Sequence, residues 1–216
     1  MNQPFLNSFT LKLLAMITMT IDHVGHVIFP TVSWFRYIGR VSFPIFCFLI
    51  VQGFFHTKDV KRYILRMLMF AFISEVIYDL TFFNSWFYLG KQNVLFTFII
   101  SLLMLYVCEK ASGIYKMGAV VFCMFFAYLI KCDYNMYGVL LIYLLYCSHN
   151  NRNKTTGSIV IWSMLYIPYY QVIAAVSSIP IYFYNGKRGP RFRYVFYIFY
   201  PFHLLLLYLI KQSLQI

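Results

Sequence analysis

The residues of this chain best suited to chemistry are three ionisable side chains in an apolar segment near its start. Ile17–His26 reads ITMTIDHVGH and contains Asp22, His23 and His26. Residues three and four positions apart share a helix face, so the three are expected to meet in one cleft. An aspartate beside a histidine can fix the ring tautomer and raise its basicity, and such a histidine can deprotonate a nucleophile. We interpret Asp22 and His23 as catalytic and His26 as substrate-binding; a proton relay or an interhelical hydrogen bond is the alternative.

The apolar setting of these groups favours a functional role. An ionisable side chain inside a membrane costs about 2.5–3.5 kcal/mol on insertion scales, so such residues usually mark functional sites. His203 lies in a second apolar run, FYPFHLLLL. We predict that His203 is catalytic and faces the same cleft as His23, with a purely structural histidine as the alternative.

Two arginines follow in the segment WFRYIGRVSFP. Arg36 and Arg40 are four residues apart, Gly39 between them permits close backbone approach, and Pro44 is predicted to bend the helix. Two guanidinium groups on one helix face can bind a phosphate or a carboxylate. We predict that both bind a cofactor; extension of their side chains to lipid headgroups is the alternative.

A basic turn comes next, in QGFFHTKDVKRYILR. Its Lys61, Arg62 and Arg66 are predicted to bind cofactor phosphates, although membrane topology alone also explains a basic turn. Glu75 and Asp79, further along the same helix, are candidate ion-pair partners for Arg66 or Arg40.

Three further polar residues are assigned from their positions. Glu75 is a candidate substrate contact. Asn93, in QNVLFT, is expected to cap a helix and is also a candidate substrate contact. Asp133, in KCDYNMYG, is expected to cap the helix that follows it.

Composition indicates that the elements positioning these residues lie in a membrane. The chain has 216 residues, of which 62% are hydrophobic and only 11% are charged, against about 25% charged in a typical soluble domain. So few charged residues cannot cover a soluble protein of this size. We therefore predict an all-α, polytopic helical bundle whose outer surface meets the lipid bilayer.

The apolar runs predict about nine transmembrane passes in a single domain, residues 1–216. Their approximate spans are 10–30, 34–55, 62–82, 91–109, 116–131, 134–149, 157–170, 172–184 and 194–212. A span of about 20 apolar residues crosses a bilayer. The fifth to eighth runs are shorter than this and are expected to tilt little, to extend into their turns or to be partly re-entrant.

The net charge of +12 is distributed with a strong bias. With the N-terminus in the cytoplasm, the loops 56–62, 110–116, 150–156 and 185–193 lie inside and hold most of the lysines and arginines. This bias favours two short passes, divided near Pro168, over one bent helix across 157–184. Because the basic residues are split among short loops, nucleic acid is not expected as a partner.

Together these segments resemble the TraX family of membrane proteins. The resemblance runs through TMTIDHVGHVIFP, FRYIGRVSFPIFCFLIVQGFFHT, KRYILRMLMFAFISEVIYDL and QNVLFT. It continues weakly through DYNMYGVLLI and returns at YNGKRG and FYIFYPFHLLLL. It covers nearly the whole chain in the expected order.

The resemblance implies a transmembrane acyltransferase of the bacterial cytoplasmic membrane. The protein that gave the family its name acetylates the N-terminal amine of a pilus subunit. For the wider group that includes this family, the resemblance implies cytoplasmic acetyl-CoA as donor, a catalytic histidine on the first helix and arginines near the cofactor. Here those roles fall to His23, Arg36 and Arg40, with a peptide, glycan or lipid-linked group as acceptor. His23 then acts as a general base or forms an acyl intermediate.

Two other functions remain open at this stage. A small proton-coupled transporter or flippase would use Asp22, His23 and Glu75 as proton carriers and the arginines to bind an anionic substrate. A non-catalytic assembly factor for a surface appendage is the third hypothesis. No metal is expected, because His23 and His26 lack nearby further ligands.

Overall fold

The protein is built from helices. A computed structural model describes residues 4–165, 169–190 and 193–215. In order, the described parts contain α1 (Ser8–Val27), α2 (Ser33–Gly39), α3 (Ser42–His56), α4 (Val60–Phe83), α5 (Val94–Cys108), α6 (Gly113–Leu129), α7 (Asn135–Ser148), α8 (Arg152–Leu165), a 3₁₀ helix (Tyr169–Ser177), α9 (Ser178–Tyr182) and α10 (Arg193–Leu214). They contain isolated backbone bridges but no β-strand. The predicted all-α fold is confirmed.

The predicted second span is one helical segment with a break, as Pro44 suggested. The break falls at Arg40 and Val41, between α2 and α3. Pro44 has no N–H to bond the carbonyl of residue 40, and its ring crowds that carbonyl. The break therefore lies one turn before the proline, and it separates the arginine-bearing turns from the buried α3.

Other helix boundaries differ from the predicted ones, because polar residues continue a helix beyond its apolar run. The seventh span was predicted from residue 157, but α8 begins at Arg152 and runs through the polar sequence RNKTTG. The predicted division near Pro168 lies outside the described residues. After that gap, a 3₁₀ helix and α9 together occupy Tyr169–Tyr182.

Helix starts test two of the sequence predictions. The side chain of Asn93 accepts a hydrogen bond from Leu95 N and caps α5, which confirms that prediction. Asp133 does not cap α7, because the N-cap is Tyr134 in the left-handed conformation. Asp133 instead forms an ion pair with Lys91 at 3.0 Å.

The loops collect at two opposite ends of the bundle. At the first, which we call the basic end, Leu6 N donates to Phe183 O at 3.0 Å and Ser8 N donates to Lys187 O at 2.9 Å. The basic end comprises the start of α1 and the connections 57–59, 109–112, 149–151 and 183–190. At the other, the distal end, Gln92 N donates to Lys131 O and Asp133 N to Gln92 O. The distal end comprises the connections 28–32, 84–93 and 130–134.

The helices at the centre of the bundle are apolar on all sides. In α3, Ile45, Cys47 and Val51 are fully buried, as are Leu102 and Leu105 in α5. A helix that is hydrophobic all round belongs in the interior. Because α3 is held on every side, it fixes the short α2 that precedes it, and with it the two arginines.

Within the described residues, two helical segments are long and apolar enough to cross a membrane, Ser33–His56 and Val195–Leu214. The helices α1 and α4 have 20 and 24 residues but carry ionisable side chains. Others are apolar but shorter, such as α5 with 15 residues. Large apolar side chains also face outward, for example Phe122 and Phe125 on α6. These features indicate a membrane protein, and nine passes stays a prediction.

Candidate active site near the distal end

Two histidines from opposite ends of the chain form a hydrogen-bonded pair. His23 Nδ1 lies 2.8 Å from His203 Nε2, and the rings are almost parallel, with centroids 5.1 Å apart. His203 is buried, and its Nδ1 lies 2.8 Å from the carbonyl oxygen of Phe199, one turn earlier on α10. The structure thus brings His203 and His23 together, as the sequence analysis predicted.

This chain of hydrogen bonds fixes the protons of both rings. A carbonyl oxygen only accepts, so Nδ1 of His203 carries the proton. In a neutral ring the other nitrogen, Nε2, then has the lone pair and accepts from Nδ1–H of His23. Nε2 of His23 is left with a lone pair, and it makes no hydrogen bond among the described residues. The arrangement presents one nitrogen of His23 as a base.

Asp22 does not orient His23 as expected. Its carboxylate oxygens lie 3.0 Å from Arg36 Nη1 and 3.1 Å from Arg40 Nη2. Consecutive residues on a helix point in different directions, so Asp22 turns toward α2 while His23 turns toward α10. The position expected of Asp22, beside the imidazole, is occupied by His203.

The cluster of Asp22, Arg36 and Arg40 is largely shielded but keeps a net positive charge. The side chains of Asp22 and Arg40 are 13% and 10% exposed, whereas that of Arg36 is 31% exposed. Two guanidinium groups share one carboxylate, so these three side chains together carry a net charge of +1. Arg36 is the arginine better placed to meet a bound anion.

Gly39 makes this cluster possible. A Cβ at Gly39 would collide with the Cβ and the carboxylate of Asp22. A second glycine, Gly25, lets Phe35 approach α1 equally closely. The predicted close approach at Gly39 is confirmed, and it brings the α2 backbone directly against the Asp22 side chain.

Tyr134 is a member of the site that sequence reasoning missed. Its hydroxyl lies 3.3 Å from Arg40 Nη1, and its ring stacks on Phe43 with centroids 3.6 Å apart. Tyr134 has φ of 60°, a conformation that few residues other than glycine adopt. The sequence signal that could have identified Tyr134 is its position directly after Asp133, at the start of a helix. Tyr134 ties the distal connection 130–134 to the arginine cluster.

His26 lies at the outer edge of the site. The rings of His23 and His26 meet the same ring, Phe82 of α4, edge to face at 5.3 and 5.1 Å. His26 is exposed and makes no hydrogen bond among the described residues. Its position leaves the predicted role in substrate binding open to test.

Glu75 and Asp79 pair with neither arginine. Glu75 accepts hydrogen bonds from the backbone and side-chain nitrogens of Asn93, and Asp79 accepts one from Tyr88 N at 2.8 Å. The predicted ion pairs with Arg66 or Arg40 are therefore wrong. Asn93 is fully buried, and its side chain also bonds the Ala71 carbonyl. The geometry gives Glu75 and Asn93 a shared role in joining α4 to α5.

The other predicted cofactor residues lie on α4, away from the histidines. Lys61 and Arg62 are exposed at the basic end, and Arg62 pairs with Asp59 at 3.1 Å. Arg66 lies one turn further along, and its Nε is buried without a partner among the described residues. The structure thus separates the predicted cofactor residues into two groups, Arg36 and Arg40 near the distal end and these three near the basic end.

A thiol in the distal connection is poorly suited to act as the nucleophile. Cys132 is 4% exposed, and burial raises the pKa of its thiol to about 12. A thiol with so high a pKa is protonated at neutral pH and is a weak nucleophile. His23 is therefore the strongest candidate base or nucleophile among the groups described above.

The chain is similar to a known protein family and to known proteins of other organisms. Residues 8–211 match the family model described as TraX protein. The chain is 31% identical to the probable fimbrial assembly protein FimC, serogroup H1, of Dichelobacter nodosus, and the alignment covers 97% of each chain. It is 35% identical over 68 residues to the uncharacterized protein RP591 of Rickettsia prowazekii (strain Madrid E), covering 32% of this chain and 27% of that one. No solved structure matches.

Proposed function

Because this chain belongs to the TraX family, we propose that it is a membrane-embedded acyltransferase. It moves an acyl group, most simply acetyl, from cytoplasmic acyl-CoA to an amine or hydroxyl of an acceptor. The observation that carries the proposal is the hydrogen-bonded pair His23–His203, which presents His23 Nε2 as a base. Burial of such a pair beside a shielded arginine cluster suits acid–base chemistry better than packing.

The reaction follows from the groups at the site. His23 Nε2 takes the proton of the attacking amine or hydroxyl as the new bond to the thioester carbon forms. The developing oxyanion is stabilised by the net positive charge of the arginine cluster, with Arg36 the more accessible donor. The C–S bond then breaks, and the proton held by His23 passes to the departing thiolate of CoA. No metal is required in this sequence of steps.

The topology we propose has nine passes with the N-terminus in the cytoplasm of a bacterium. Nine segments run between the basic and distal ends: α1, α2 with α3, α4, α5, α6, α7, α8, the segment 169–182 and α10. The basic end then faces the cytoplasm by the positive-inside rule. His23 lies one turn from the distal end of α1, so the acceptor reaches it from the outer side or from the membrane.

The acceptor class we propose is a peptide N-terminus, with a glycan or a lipid-linked group as the other candidates. The relative from Dichelobacter nodosus is named a probable fimbrial assembly protein. That name favours a subunit of a surface fibre, and hence a peptide amine, over the other two acceptor classes. In the proposed topology, an acceptor on the outer side of the membrane meets the end of the bundle near His23.

One observation favours a second function, a proton-coupled transporter or flippase of an anionic substrate. Glu75 and Asp79 lie one helical turn apart, and each has a buried carboxylate oxygen without a partner among the described residues. Paired intramembrane carboxylates of this kind carry protons in transporters. A transporter need not bind coenzyme A, which separates the two functions.

The decisive experiment is turnover of acetyl-CoA by the detergent-purified protein, with and without an added peptide amine. We expect His23→Ala to lower turnover by about 10²–10⁴-fold, the usual contribution of a general base. His56→Ala is the matched control, because His56 is exposed at the end of α3 and bonds only its own helix among the described residues. Unchanged turnover in His23→Ala would contradict the proposal. Proton-coupled anion flux without turnover would favour the transporter.

A further inference from the structure

A pocket of about 350 Å³ opens at the basic end, whereas the histidine pair lies near the distal end. It lies between α3, the turn joining α7 to α8, and the chain that follows α9. Its lining includes Phe48, Gln52, His149, Asn150, Arg152 and Tyr184. The volume lies at the lower end of the range typical of small-molecule sites. No part of the proposed reaction uses these residues.

The polar groups of this pocket retain hydrogen-bonding capacity. Arg152 donates from one Nη to the Tyr184 carbonyl at 3.3 Å, and the other guanidinium N–H groups have no acceptor among the described residues. The side-chain amides of Gln52 and Asn150 also have no hydrogen-bond partner among the described residues. His149 donates from Nδ1 to Tyr146 O at 3.0 Å, which leaves Nε2 as an acceptor in the neutral ring. The lining can therefore both donate to an anion and recognise a polar heterocycle.

The aromatic walls of the pocket are held rigidly. The ring of His149 stacks on Phe55, with centroids 3.8 Å apart. The ring of Tyr184 meets Phe48 edge to face at 5.2 Å. Flat side chains fixed by such contacts are suited to stack against a planar base.

The charge around the pocket favours an anion. Arg152 is in the lining, and Lys187 and Arg188 lie on the adjoining segment that follows α9. The acids of the basic end are outnumbered by its lysines and arginines: Asp59 pairs with Arg62, and Glu109 keeps its charge while it accepts from the Tyr146 hydroxyl. The local field is therefore positive, and it concentrates anionic ligands.

The geometry points to this pocket as the site that binds the adenine nucleotide end of the acyl donor. This inference rests on the proposed function for the identity of the donor. The planar base fits between the aromatic walls, and the phosphates meet Arg152. From Phe48 the helix axis runs about 12 Å to Arg40, and Arg40 contacts Asp22. The predicted phosphate ligands Lys61, Arg62 and Arg66 do not line this pocket.

The test measures binding of adenosine 3′,5′-bisphosphate and of coenzyme A to the purified full chain. We expect Arg152→Gln to weaken both by about tenfold, the effect of losing one charge-assisted contact. Lys154→Gln is the matched control, since it removes the same charge from the same helix outside the pocket. Because Arg152 also bonds the Tyr184 carbonyl, Asn150→Trp is a second variant, which fills the pocket from an exposed turn and should abolish binding.

Acetylpantetheine, which has the thioester without the nucleotide, separates this inference from the proposed function. Arg152→Gln should leave its turnover unchanged, whereas His23→Ala should abolish it. Three results would each overturn the inference. Both pocket variants bind nucleotide as the wild type does, Lys154→Gln weakens binding as much as Arg152→Gln does, or the wild type binds no nucleotide. Nucleotide binding without turnover of either thioester would instead overturn the acyltransferase and leave a nucleotide pocket.

Discussion

Two ion pairs at opposite ends of the bundle have the same N–O distance and very different surroundings. Arg40–Asp22, near the distal end, and Arg62–Asp59, at the basic end, are both 3.1 Å long. The side chains of the first pair are 10% and 13% exposed, and those of the second are 80% and 45% exposed. Distance alone therefore says little about what an ion pair does.

The surroundings determine the role of each end. Near the distal end, charges removed from solvent depend on their partners, so Asp22, Arg36 and Arg40 are held in one arrangement beside the histidine pair. At the basic end, solvated charges gain little from pairing and act through the field that they create together. The first arrangement suits the positioning of reacting groups, and the second suits the capture of an anionic ligand.

The largest difference between the two ends is expected in how far a substitution lowers the free energy of unfolding. Asp22→Asn removes the carboxylate shared by Arg36 and the shielded Arg40, and should lower the free energy of unfolding by about 3–5 kcal/mol. Asp59→Asn should lower it by less than about 1 kcal/mol, because the lost pair is exposed and asparagine still caps α4. Chemical unfolding in mixed micelles measures both. Equal effects of the two substitutions would show that burial does not distinguish the pairs.

The second prediction concerns positioning near the distal end. His203→Ala removes the acceptor that holds the proton on His23 Nδ1, so the lone pair is no longer confined to Nε2. We expect kcat to fall by about tenfold or more while KM for the acyl donor stays close to its wild-type value. Acetyl-CoA turnover over a range of donor concentrations measures the two constants separately.

Rescue distinguishes positioning by His203 from simple packing. In His203→Gln the amide oxygen can accept from Nδ1–H of His23, so part of the lost kcat should return. A role limited to packing predicts no such difference between the two variants at equal stability. Equal kcat in His203→Ala and the wild type would remove His203 from the catalytic arrangement.

The sequence was sufficient to predict the helices but not their pairings. Apolar runs gave most helix positions, and Pro44 gave the break before α3, because both signals are local. His203 was predicted as the partner of His23 only because both histidines lie in apolar runs. The partner of Asp22 was predicted wrongly. Helix periodicity tells which residues share a face, but it does not tell which helix that face meets.

The residues that sequence reasoning missed are those whose roles depend on long-range packing. Tyr134 reaches Arg40 only because α7 lies beside α3. The pocket around Arg152 combines three segments that are distant in the chain. Each of them has the sequence of an ordinary loop or helix end. By contrast, Lys61, Arg62 and Arg66 form a conspicuous basic sequence whose side chains do not converge on that pocket.

The smallest predicted effect tests whether the solvated charges of the basic end act at a distance. Lys61→Gln should raise KM for acetyl-CoA by no more than about twofold at low salt, because this exposed side chain contributes only to the surrounding field. The difference should vanish near 1 M salt, where the Debye length falls to about 3 Å. The tenfold effect expected of Arg152→Gln should decline less, since direct contacts inside a pocket are screened less than exposed charges. If Lys61→Gln matched Arg152→Gln at both salt concentrations, Lys61 would be a direct ligand and the basic end would position the donor rather than merely attract it.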